Sequence, residues 1–298
     1  MSGSGTVGFG SFFYPTVITV NDISSALGKT LERHTRKVVL KYTFNEKQLF
    51  VTDDGFVCLM VAQAEDALTQ LNTIFATGIA WGIMNEKIIS KDLCRCSLKN
   101  GTNIMITDYY IPSERVMFSL QRDEAGEKLS EWKEYPRRLV NLDTCKGILH
   151  MAYWFTLNPN LHNDLMLLFE GYSLYYKDAF VGAFLYGWMI VETFLARLWD
   201  EYVDSRDRKN NDKRALKDFR SWTSYHHIEM FCILGIMAPE TRDLFNNLRR
   251  KRNQVVHDRI EVNKLEAYNC LNVARKILRN RTKTPDKPFL EITNADIN

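Results

Sequence analysis

The sequence predicts an α+β domain over residues 1–140, then an all-α helical bundle over 141–281 and a tail at 282–298. Three observations carry this. Apolar residues before residue 62 alternate with the period of two that a half-buried strand needs. Strand signals fade after about Pro136. Beyond that point apolar residues recur at intervals of three and four, in long runs separated by polar breaks. At 298 residues the chain is long enough for two parts that each bury a core.

The elements follow in order. Residues 38–44, 48–51 and 56–61 read as a meander, with Asp53-Asp54-Gly55 as a turn, because Asp-Gly tolerates the positive φ of a tight hairpin. From Glu65 the period becomes helical, through Ala67, Leu68, Leu71, Ile74, Phe75 and Ile79. Shorter strand candidates lie at 93–98, 103–107 and 115–120. Helices are predicted near 139–156, 161–177, 178–203, 213–222, 225–236, 239–258 and 261–280, with Asn158-Pro159-Asn160 as a clean break. Residues 204–214 form a charged loop between apolar helices. The opening glycines, Gly3 to Gly8, read as a flexible leader.

Charge and cysteine usage bound the class of function. The net charge is +3, yet residues 1–150 hold 17 basic and 17 acidic side chains. The later residues hold 22 and 19, so the basic excess lies with the helices. That bias permits a nucleic-acid partner without requiring one. Six cysteines are scattered without framework spacing, and no secretion signal opens the chain, which points to reduced thiols in a cytoplasmic protein. The most apolar run, 179–191, is followed by Glu192 and Arg197; it is too short to span a bilayer and reads as a buried helix, so no membrane partner is expected.

Residues 240–257 carry most of the functional signal. They end in Arg252-Asn253-x-x-x-His257 on an amphipathic helix. A guanidinium holds a phosphate, an amide orients a ligand oxygen, and an imidazole moves protons near neutral pH. These groups suffice to cleave a phosphodiester without a metal or cofactor. At about 100° per residue, Leu244, Leu248 and Val255 form a core-facing arc flanked by Phe245 and Val256. Arg252 falls inside that arc, while Asn253 and His257 turn away from it and Arg249 stands beside Asn253.

An arginine on an apolar arc needs a partner. Glu192, the one acid within 179–199, is the candidate, either in a structural ion pair or as support for the site. His257 has a bland alternative too, as a cation near a helix C-terminus. On one continuous helix Arg252 and His257 sit about 140° and roughly 7.5 Å of rise apart. They can flank one phosphate if Arg252 reaches around, if the helix ends near His257, or if a second subunit completes the site. Arg249, Arg250, Lys251 and Arg259 can track an RNA backbone; a solvated helix face is the alternative for Arg250 and Lys251.

Residues about 160–281 resemble the HEPN domain, a helical bundle found in ribonucleases and nucleotide-binding proteins. Two long helices come first, the second bearing Glu192 after Trp188. A short helix over 228–236 follows, then Leu244, Leu248, Arg252-Asn253 and His257, then a closing helix. HEPN ribonucleases carry an Arg, four to six residues, then a His, often with Asn directly after the Arg; the spacing here is four. The resemblance implies metal-independent RNA cleavage leaving a 2′,3′-cyclic phosphate. It gives His257 proton transfer, Arg252 stabilisation of the phosphorane, and Asn253 orientation of the phosphate or the histidine. It further implies a homodimer with facing motifs, a toxin or antiviral defence role, and an antitoxin or regulatory partner. Residues 1–140 would then sense a trigger or recognise substrate.

Other signals are weaker. Gly3-x-Gly5-x-x-Gly8 has no strand before it, and Gly28-Lys29-Thr30 lacks the first glycine of a phosphate loop. Cys94-x-Cys96 places two thiols on one strand face without a second ligand pair, and His226-His227 lack an acidic partner at ligand spacing. Two further readings stay open: a catalytically silent HEPN module that binds RNA or nucleotides, and a small-molecule sensor with the bundle as a dimerisation scaffold.

Overall fold

The computed structural model describes residues 7–13, 16–19, 35–83, 87–107, 138–207, 209–218 and 220–283. The chain divides into two compact units, Met1–Phe169 and Glu170–Asn298. Most of the opening leader, the Gly28-Lys29-Thr30 signal, the strand expected at 115–120 and nearly all of the tail lie outside the described residues.

In the first unit the elements are β1 (Val7–Phe12), β2 (Thr16–Thr19), β3 (Thr35–Phe44), β4 (Lys47–Thr52), β5 (Phe56–Leu59), α1 (Ala64–Ala80), β6 (Cys94–Lys99), β7 (Asn103–Ile106), β8 (Arg138–Asn141) and α2 (Leu142–Thr156). The helix α3 (Pro159–Tyr176) begins here and crosses into the second unit. Six strands close into an antiparallel barrel in the order β1-β5-β4-β3-β7-β6. This corrects the expectation of a plain α+β domain.

The meander β3-β4-β5 forms as expected, with Gly55 at φ +79° in its second turn. What the sequence reading lacked was β1. It pairs with β5 through Gly10 and Cys58, and with β6 through Gly8 and Cys96, so it joins the meander to the β6–β7 hairpin and shuts the barrel. Glycine weakens a strand signal and favours a linker reading. Here its lack of a side chain is the point, because a Cβ at Gly8 would overlap the Leu59 carbonyl oxygen. One at Gly10 would lie 2.5 Å from the Phe56 ring and 2.7 Å from Cys58 Cβ. Gly10→Val should therefore destabilise the barrel by about 1–3 kcal/mol through overpacking, read as a lower urea midpoint; an unchanged midpoint would show that β1 does not close the barrel this tightly.

Phe12, Phe50, Phe56, Cys58, Cys96 and Ile104 fill the interior. Arg36 and Asp54 form a buried ion pair at 3.0 Å, with the guanidinium 5.0 Å from the Phe12 ring centroid. Cys94 and Cys96 both turn inward, as two-residue spacing on one strand requires. The strand β8, which pairs parallel with β2, also went unforeseen; the helix expected from 139 starts at Leu142, where the Asn141 side chain caps it by accepting from the Thr144 N–H at 2.7 Å.

The second unit is helical: the end of α3, then α4 (Phe180–Asp204), α5 (Asn210–Leu216), α6 (Ser224–Ile233), α7 (Pro239–His257) and α8 (Lys264–Lys283). The helix expected at 213–222 is instead the shorter α5, set inside the charged loop, where Lys217 pairs with Asp204 at 2.7 Å. The central α4 packs chiefly on α8 and also meets α5, α6 and α7. Its Gly187 lets the α8 backbone come close, since a Cβ there would lie 3.1 Å from Cys270. Over 18 residues α4 is apolar enough to cross a membrane, but half of that stretch is buried within the fold. It is the core helix of the second unit.

Candidate functional site

On α7 the buried side chains are Thr241, Phe245, Leu248 and Val255. At 100° per residue they span about 80°, and Arg252 falls near the middle. A guanidinium there cannot join a dry core cheaply. The packing instead opens into a cavity of about 300 Å³. Trp188 and Glu192 of α4, Thr223 and Ser224 at the start of α6, and Arg249, Arg252 and Asn253 of α7 line it. Arg252 is half-buried at its wall.

The hydrogen bonds differ from the pairing expected of Glu192 and Arg252. Arg252 donates from Nη1 to Asn253 Oδ1 at 3.2 Å. Glu192 accepts from Ser224 Oγ at 3.2 Å. Among the described residues no ion pair joins Glu192 and Arg252, so the two line one cavity without direct contact. Arg249 lies over the Tyr225 ring at 4.9 Å and donates from Nε to Asn246 Oδ1 at 3.4 Å. Asn246 in turn donates to Glu229 Oε1 at 2.7 Å, tying α7 to α6.

The start of α6 adds a third positive element. Thr223 is the N-cap; its N–H donates to His226 Nδ1 at 3.3 Å, and its hydroxyl lies 3.1 Å from the same nitrogen. The first turn of a helix presents free N–H groups and the positive end of its dipole. Two arginines, an asparagine amide and a helix start thus surround one small cavity, opposed by a single carboxylate, Glu192, to which Ser224 already donates. That arrangement suits an oxyanion.

The remaining sequence-derived residues stand elsewhere. His257 is the last residue of α7, exposed and outside the cavity lining, one turn beyond Asn253 and about 40° around the helix. The chain then turns at Arg259, exposed with φ +57° in the left-handed region that often ends helices. Arg250 is exposed and donates to Asn247 Oδ1 at 2.6 Å. Lys251 pairs with Glu266 of α8 at 2.8 Å, so its charge is partly spent inside the fold. His227 is buried and stacked on Trp199; burial first, then the neighbouring His226, pushes its pKa down to about 4, which keeps it neutral at physiological pH.

Sequence reasoning missed three lining residues. Trp188 reads as part of the apolar stripe of α4, and it is 1% exposed, yet its indole Nε1 has no hydrogen-bond partner. Thr223 and Ser224 precede the helix expected from 225; a Thr-Ser pair at a helix start is a capping signal that would have found them. A second hollow, of about 460 Å³, lies on the barrel at Lys41, Tyr42, Gln48, Phe50 and Leu98. Lys41 is its sole charged lining residue among those described.

Comparison of the chain with protein-family models, with curated proteins and with solved structures finds no match.

Proposed function

We propose that the helical unit is a metal-independent endoribonuclease of HEPN type. The observation that carries this is the convergence of Arg249, Arg252 and Asn253 with the start of α6 on one cavity, with an exposed His257 one turn further along α7. The ribose 2′-oxygen attacks the adjacent phosphorus, the bond from phosphorus to the 5′-oxygen breaks, and a 2′,3′-cyclic phosphate and a 5′-hydroxyl result. Arg252 offsets the charge on the phosphorane and Asn253 orients a non-bridging oxygen. His257 moves the proton between the 2′-hydroxyl and the leaving oxygen. Arg249, Arg250 and Arg259 hold the flanking backbone, while Lys251 contributes less because its charge is already paired with Glu266.

Because His257 lies outside the cavity lining, the active form in this reading is a homodimer. Apolar side chains exposed near His257, including Val256 and Ile260, supply a surface for a second copy. The barrel unit serves as sensor or substrate-recognition module, with a toxin or antiviral role held in check by an antitoxin or other regulatory partner. Six free cysteines support a cytoplasmic setting. The position of His257 also favours a second reading, a module that binds RNA without cutting it.

RNA incubated with the purified protein and excess chelator should be cut, and end mapping should find cyclic phosphates and 5′-hydroxyls. Strict dependence on a divalent metal would sink the mechanism. Retention of RNA without cleavage would establish the silent module.

A further inference from the structure

A row of aromatic rings leads away from the cavity at the start of α6. Tyr225 follows the cavity-lining Ser224, is 44% exposed and has the Arg249 guanidinium 4.9 Å from its ring centroid. His226 is exposed beside it at 5.6 Å between centroids, and Trp222 stands 6.0 Å from His226. Trp222 is half-buried, with one face stacked at 4.7 Å on the buried Trp199. Each outer ring is therefore held in place: Tyr225 by Arg249, His226 by the Thr223 N–H, Trp222 by Trp199. Cations flank the row, with Arg249 at one end and the exposed Arg220 two residues before Trp222. The one acid of α6, Glu229, is engaged by Asn246.

We propose that Tyr225, His226 and Trp222 form a stacking platform for the bases of an unpaired RNA strand whose phosphate Arg249 and Arg252 hold. This rests on the RNA reading above. Solvent-reachable rings grouped beside a polar, cationic cavity mark a binding surface rather than a piece of core. An unpaired strand offers what this surface takes, flat bases for the rings and phosphates for the arginines. In a duplex the bases stack on one another and are closed to the rings, so the match is to single strands. Stacking uses the face of a base and not its edge, which makes the platform tolerant of sequence. Rings already held by Arg249, Thr223 and Trp199 lose little freedom when a base arrives.

Fluorescence anisotropy of the full chain with short labelled 2′-O-methyl strands tests this, because such strands keep their bases and cannot be cut through a 2′-hydroxyl. At fixed salt a strand with bases should bind about tenfold more tightly than an abasic strand of the same length. Tyr225→Ala should remove most of that advantage and leave the abasic strand unchanged, while Tyr225→Phe should keep it. Arg252→Ala should weaken both strands alike. Equal affinity of the wild-type chain for the two strands overturns the platform and leaves the phosphate site standing. Equal weakening of both strands by Tyr225→Ala also overturns it, since the ring would then serve only to position Arg249. A wild-type dimer that Tyr225→Ala turns into a monomer, as seen by light scattering, would give the surface to a second copy instead. Failure of both strands to bind removes the RNA reading itself. The wild-type comparison decides even if circular dichroism shows a variant to be unfolded.

Discussion

His257→Ala should cost roughly 10²–10⁴-fold in RNA cleavage, the span that a positioned proton-transfer group contributes. The same change should leave the melting temperature almost where it was. His257 is exposed at the end of α7 and packs against no core, and exposed substitutions usually shift stability by within about 0.5 kcal/mol. This separation of effects gives the prediction its force once light scattering shows the variant to assemble as the wild type does, because a loss of activity with fold and assembly intact points to the chemistry. Arg252 is a different case. It stands at the middle of the buried arc but hydrogen-bonds to Asn253 rather than pairing with Glu192. Removing it therefore leaves no unpartnered buried acid, and the penalty should fall below the ~3–5 kcal/mol of a broken buried pair. Single-turnover cleavage and thermal melts on the two variants measure both quantities. Undiminished cleavage by the His257→Ala chain would end its catalytic role.

The helices were legible because their apolar period is long and their breaks are chemically sharp. Phe184, Trp188, Val191, Leu195 and Leu198 mark one buried face of α4, and Asn158 with Pro159 ends one helix and starts the next. The barrel was not legible, because its closure depends on Gly8 and Gly10. Residues with no side chain give no alternation to count, and the close approach that demands them exists only once β5 and β6 are in place. The same contrast runs through the site. A lone acid in an apolar helix and an arginine on a core arc are visible as local anomalies, and Glu192 and Arg252 do line one cavity. That they do not pair depends on Ser224, which reaches Glu192 from another helix. Nor can periodicity show that Trp188 keeps an unused donor, since an indole on an apolar stripe looks like any other core residue.

Mixing two inactive chains, Arg252→Ala and His257→Ala, should restore about a quarter of wild-type activity. On α7 the two residues are about 140° apart in projection, and the fold places Arg252 at the cavity wall and His257 outside its lining. In a symmetric dimer each site would take Arg252 from one subunit and His257 from its partner. Random pairing makes half of the dimers mixed, and in each of these one of the two sites is intact. If both groups instead came from the same chain, a mixed dimer would contain no intact site and activity would stay at the level of the single variants. Tandem fusion of the two variant chains removes the dependence on exchange between dimers. Light scattering at assay concentration supplies the second check, since full wild-type activity from a monomer excludes a shared site. Recovery on mixing identifies His257 as the group that the partner brings to the cavity of Arg249, Arg252 and Asn253.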